Sequence, residues 1–153
     1  MGATYPIQGG LCFIKRGSSA IARVKKIKPP AVMRKAIETT VLGSTWATFV
    51  KSSVVETDDC EIEMNFDPTD NTHIQGTTGA SLYQDVVDAG LTNYGSTAFT
   101  ILLGSTTPAT PAGGLSLAFN AVVTKWAPGE ATLGGIVPLS CTLKVDGAIT
   151  ITT

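Results

Sequence analysis

The chain has 153 residues, of which 43% are hydrophobic and 15% charged, for a net charge of −1. That length suits one domain that folds without disulfide staples. So few charges, with a positive mean hydropathy, leave two options: a generous core, or a surface partly buried in an assembly.

In chain order, residues 1–20 are rich in Gly and Ser with one apolar cluster at 11–14, and read as an N-terminal arm or an irregular first strand. Residues 21–28 are strand-like and heavily basic, and Pro29 and Pro30 close them by removing donors. Residues 32–40 form a second strand. Residues 41–53 hold Gly43 with Leu42, Trp46, Phe49 and Val50, and fit neither the helical nor the strand period. They read as a long loop, and a long connection in a small domain is usually functional or disordered. Trp46 and Phe49 argue against disorder. They are anchors that need burial, in the chain's own core or in a neighbour.

Cys60, Ile62, Met64 and Phe66 then alternate with Glu61, Glu63 and Asn65, a strand with one apolar and one acidic face, ended by Pro68. After a polar link at 67–79, residues 80–89 present Leu82, Val86 and Ala89 on one helical stripe, with Thr78 or Ser81 to cap it and Gly90 to close it. The strand patterns at 98–103, 115–126 and 139–145 are separated by Gly- and Pro-rich turns. Gly147 breaks the last one, leaving a β-branched tail at 148–153. The expected fold is mainly β: a β-sandwich or partly open barrel of two packed antiparallel sheets, with one short helix and extended terminal arms, all in a single domain over 1–153.

Charge is unevenly distributed. Residues 1–55 carry nine bases and one acid, residues 56–153 eleven acids and two bases, so the halves are +8 and −9. Either these charges pair within the chain, or a basic and an acidic patch meet head to tail between copies.

Catalytic chemistry is missing from the pattern, and the chain reads as no enzyme. The one histidine, His73, sits in a polar link and reads as solvated. No nucleophile elbow, zinc-protease motif or phosphate-binding glycine loop occurs. Asp67, Asp70 and Asn71 lack the spacing of a calcium loop and read as turn formers. Cys12, Cys60 and Cys141 form no CxxC pair, and the latter two fall on apolar strand positions. Residues 1–10 lack signal-peptide regions, and no apolar run reaches the roughly 18 residues of a membrane span. Catalytic, metal and cofactor residues are therefore expected to be none, with folding in a reduced intracellular setting.

Several pieces in order resemble the tail tube proteins of long, non-contractile bacteriophage tails, the lambda type: residues 27–30 with Arg34 and 37–40, the loop from Leu42 to Phe49, the strand 61–68, and 119–128 with 137–147. The resemblance spans about residues 20–147. It implies a structural virion protein made in the host cytoplasm, forming hexameric rings that stack into a hollow tube for genome ejection. Its implied partners are other copies of itself, tail tip or baseplate, tape-measure and terminator proteins, and double-stranded DNA in transit without specific binding.

On that resemblance, Leu42, Trp46, Phe49 and Val50 are expected to contact the adjacent ring. Glu61, Glu63 and Asn65 are expected to face the lumen. The alternative is that they face solvent or pair with the basic residues 23–28. Arg23, Lys25, Lys26, Lys28, Arg34 and Lys35 are expected to meet acids such as Asp58 and Asp59 of another subunit. A rival reading is a secreted or surface β-sandwich that binds carbohydrate or builds a fibre.

Overall fold

A computed structural model of the chain describes residues 12–74, 81–87, 95–104 and 114–153. Among the described residues, nine strands and one helix lie in the order β1 (Cys12–Arg16), β2 (Ser19–Ala20), β3 (Val24–Lys28), β4 (Val32–Glu38), β5 (Phe49–Thr57), β6 (Cys60–Asn65), α1 (Leu82–Val87), β7 (Thr97–Leu103), β8 (Leu115–Pro128) and β9 (Pro138–Thr152). Seven strands form one antiparallel sheet in the order β2-β1-β7-β8-β9-β6-β3, and β4 and β5 form a separate two-stranded sheet. The fold is the expected mainly-β, sandwich-like one, and no barrel closes among the described residues. Near the two ends of the sheet, β1 and the edge strand β3 approach each other without pairing. They leave a gap of about 260 Å³ lined by Cys12, Val24 and Leu103.

The large sheet curls around one core. Ile14, Ile62, Met64, Phe99, Ile101, Leu139 and Leu143 are all essentially inaccessible. Each such side chain contributes roughly 1.5–3 kcal/mol of transfer free energy. The curl is built into β8 and β9, 14 and 15 residues long, through two register shifts. At one, Thr124 is the extra residue on β8 and its hydroxyl donates to the Thr142 carbonyl at 3.3 Å. At the other, between the Asn120–Asp146 and Ala118–Thr150 pairs, Gly147 adopts φ 85°, a conformation strained for any residue with a Cβ.

That glycine bends the strand and does not end it, so residues 148–152 belong to β9. At the other terminus, residues 12–16 and 19–20 are sheet strands, the strand alternative for that stretch, and residues 1–11 of the expected arm lie outside the described residues. The long loop expected at 41–53 runs over residues 39–48 and joins β4 and β5 into a β-hairpin. Phe49 to Ser53 lie in β5, where neither face meets the core and no alternating pattern is required of them. Of the helix expected over 80–89, the described part is Leu82–Val87. Leu82 is buried, but Val86 and Val87 are exposed. Ser81 caps it, its hydroxyl accepting from the Gln84 N–H at 3.2 Å. Thr78, Ala89 and Gly90 lie outside the described residues.

Candidate functional site: an exposed hairpin beside a charged sheet face

Among the described residues, the β4–β5 hairpin carries most of the exposed large apolar side chains. Every residue of β4 is exposed, and so is β5 apart from Ser52 and Thr57. Its ladder runs from Val32–Thr57 to Glu38–Phe49. Thr39 and Thr48 fasten the tip through a 2.8 Å backbone bond and paired hydroxyls. At the base, the Asp58 carboxylate accepts from the Ala31 N–H, and the Asp58 N–H donates to the Ala31 carbonyl at 3.2 Å.

These bonds hold the hairpin's shape but hide none of its apolar surface. Leu42 is 105% exposed, Trp46 83%, Phe49 58% and Val50 51%, beside Ile37, Val41 and Val54. An isolated two-stranded hairpin is marginal in water at best. Large apolar side chains gathered this way on one exposed arm are the kind of surface that interaction sites use. The four residues singled out in the sequence are thus brought together on one arm, unburied within their own chain.

The face expected to be acidic carries mixed charge. Glu61 and Glu63 point away from the core, but Lys28 lies opposite Glu61 and Lys26 opposite Glu63 on β3. The Lys25 ammonium reaches Glu63 at 3.1 Å. Across β9, Lys125 joins Lys26 and Lys28 in lining a groove of about 220 Å³ with both glutamates. Asn65 lies at the far end, its N–H donating to the Arg23 carbonyl at 2.9 Å. Period-two alternation located the face correctly. The basic strand beside it is the alternative the sequence left open, pairing with residues 23–28.

Other charges set aside for contacts between copies are also engaged within the chain. Arg23 pairs with Asp67 at 2.9 Å, and Lys35 with Glu56 across the hairpin at 3.5 Å. Lys26, Lys28, Arg34 and Asp59 make no ion pair among the described residues.

His73 is not solvated. It is wholly buried, accepts from the Asp67 N–H at Nδ1 (3.1 Å) and donates from Nε2 to the Ala22 carbonyl at 2.8 Å. It stacks on Phe66, which meets Trp126 edge-on, as does Tyr83 of α1. The Trp126 indole N–H donates to the His73 carbonyl at 3.1 Å. This aromatic pillar fixes the 66–74 link and α1 to the sheet. Asp67 is indeed a turn former: its carboxylate accepts from the Thr69 hydroxyl and N–H, and with Arg23 alongside its pKa falls to about 2. Asp70 does the same for Thr72.

Sequence reasoning also missed the Arg16–Asp85 pair. Two 2.6 Å bonds join a side chain of β1, 12% exposed, to one of α1, 4% exposed. Only the fold brings together residues 69 apart. Burial raises the Cys60 and Cys141 thiols to about 12, which suits packing and not reactivity. No cluster of three or more potential metal ligands occurs among the described residues.

No protein-family model and no curated protein sequence matches the chain. Solved structures do. A chain of the anti-feeding prophage cap, described as a tube-terminating cap, superposes with a TM-score of 0.72 at 17% identity, covering 100% of this chain and 95% of that one. A chain from the sheath/tube terminator of the extracellular contractile injection system PVC gives 0.72 at 14% identity over 99% and 100%. A chain from the tail of an empty GTA particle gives 0.62 at 12% identity over 95% and 98%. At such identities the likeness establishes the fold: the chain has the architecture of tail-tube and tube-terminator components of phage-like particles.

Proposed function

We propose that this chain is a structural tail-tube subunit, not an enzyme, in the virion of a phage with a long non-contractile tail of the lambda type. It forms hexameric rings that stack into a hollow tube conducting DNA at ejection. The supporting observation is the unpartnered apolar hairpin on a fold shared with tail components. A domain with a complete core has no internal use for such an arm, whereas a ring that must grip the next ring does. In this reading Leu42, Trp46, Phe49 and Val50 bury in a neighbouring subunit, while Arg34 and Lys28 meet acids such as Asp59 of another copy. Glu61, Glu63 and Asn65 contribute to the lumen wall, as a surface of mixed charge that gives phosphate no continuous cationic track.

A second reading follows from the two neighbours at TM-score 0.72, which come from a cap and a terminator. A terminating subunit would close into one ring and stop. Negative-stain electron microscopy of the purified chain across a concentration series separates the two. Tubes of uniform bore are expected. Isolated sixfold rings that never stack would favour the cap, and a monomer at every concentration would sink both readings.

A further inference from the structure

The groove on the charged sheet face has a floor and two rims, set out by cross-strand register. Lys28, Glu61, Thr142 and Lys125 lie abreast on β3, β6, β9 and β8, and Lys26, Glu63, Ser140 and Ala127 lie abreast in the next row. Both glutamates, Ser140 and Thr142 make the floor, Lys26 and Lys28 one rim, and Lys125 the other. At about 4.8 Å between neighbouring strands, the rims stand roughly 14 Å apart at the backbone. Lysine is long and flexible enough to wall a groove of that width.

The positive charge of this groove is not neutralised within the chain. Glu63 already holds the Lys25 ammonium at 3.1 Å. Glu61 faces Lys28 across the strand pair. Lys26 and Lys125 are left without a carboxylate, and neither side chain makes an ion pair or hydrogen bond among the described residues. With Lys25 included, four ammonium groups meet two carboxylates, a net excess of +2. On the floor between the rims, the Ser140 and Thr142 hydroxyls are half-buried and make no hydrogen bond among the described residues either. Unneutralised ammonium groups beside unused hydroxyl donors are the chemistry that recognises an oxyanion.

We propose that this groove is a phosphate-binding site, in which Lys26, Lys125 and the Ser140 and Thr142 hydroxyls take one phosphate group. Its volume of about 220 Å³ accommodates such a group with bridging waters. Glu61 and Glu63 line the same groove and oppose the anion, so binding is weak and quickly reversed. The proposal goes beyond the tube reading and does not depend on it, because every residue of the groove belongs to one chain. The phosphate group has two sources, a free phosphate or the backbone of double-stranded DNA. In a tube with this face inward, each copy would offer passing DNA one separate, weak contact, and the glutamates between the lysines would keep those contacts from merging into a track.

The test titrates the unassembled, isotope-labelled chain with inorganic phosphate and follows its backbone amide resonances. Saturable shifts should centre on residues 26–28, 61–63, 125 and 140–142. A short DNA duplex titrated in the same way should move the same amides if the backbone is a source, and shifts with inorganic phosphate alone would assign the site to the free anion. In Lys26→Gln/Lys125→Gln both altered side chains are exposed, so the variant should melt with the parent yet bind phosphate more than about tenfold more weakly. Lys35→Gln/Lys51→Gln removes two exposed charges from the hairpin instead and should bind within about twofold of the parent. If the groove variant misfolds, the location of the parent's shifts decides. Shifts that centre elsewhere or never saturate, or equal binding by the folded groove variant, overturn the site and leave the tube reading standing. A chain that binds phosphate here but never assembles overturns the tube reading and leaves the site.

Discussion

Replacing Trp46 separates folding from assembly more cleanly than any other single change. The indole is 83% exposed at the hairpin tip and belongs to no core cluster. Its loss should change monomer stability by no more than about 0.5 kcal/mol, a melting shift below roughly 2 °C for a chain of this size. In a docked hairpin the same ring is buried. Truncating a buried aromatic costs about 3–5 kcal/mol, which at about 1.4 kcal/mol per factor of ten is roughly two to three and a half decades in association constant. Trp46→Ala should therefore fold as the parent does and fail to polymerise until its concentration is raised by at least about a hundredfold. Sedimentation velocity over a dilution series measures that threshold, and thermal unfolding by circular dichroism measures the fold. Polymers at the parent threshold would refute the docked-hairpin argument. A large drop in melting temperature would refute it differently, by showing that Trp46 serves its own chain.

Three further outcomes follow from the geometry. Arg16→Ala strands a carboxylate that is 4% exposed and should destabilise the monomer by about 3–5 kcal/mol, whereas Arg16→Met with Asp85→Leu should recover most of that in chemical denaturation. Asp67, held at about 2 against 3.8 by Thr69 and then Arg23, contributes stability that is complete above pH 3.8 and lost as pH falls through 2. Asp67→Asn should flatten the acid limb of the stability–pH curve in that window, and an unchanged limb would discount the Thr69 and Arg23 contacts. Glu63→Lys removes one of two acids from a face that already holds Lys26, Lys28 and Lys125. If that face lines the tube, variant particles should retain or slow DNA on ejection, and normal infectivity would move the face out of the lumen.

The parts of this fold legible in the sequence are those where burial imposes a period. β6 and the first half of β9 alternate because one face meets the core, and Cys60, Ile62, Leu139 and Leu143 are all buried as expected. The β4–β5 hairpin was opaque for the opposite reason: with both faces outward, Phe49 to Thr57 obeys no alternation. Gly147 misled because a positive-φ glycine ends some strands and bulges others, and only the cross-strand register distinguishes the two cases. His73 was unreadable because its two hydrogen-bond partners are backbone groups, an amide and a carbonyl, which leave no trace in side-chain identity. The apolar side chains of the hairpin were visible as anchors without a home in their own core. Which charges remain for partners was not visible, since that depends on β3 lying against β6.

The hairpin also bears on how quickly such an assembly starts. A two-stranded arm outside the core belongs to the least stable part of a fold, the part that opens first. Fixing it in a neighbour has an ordering cost that recurs at each docking. The first copies to meet bear that cost with few contacts in return, whereas a copy joining a finished ring meets the complete surface at once. Polymerisation should then show a lag that pre-formed ends abolish. At concentrations too low for nuclei to form unaided, growth would begin only where a template stands, whereas at high concentration the chain alone still yields tubes, after a lag.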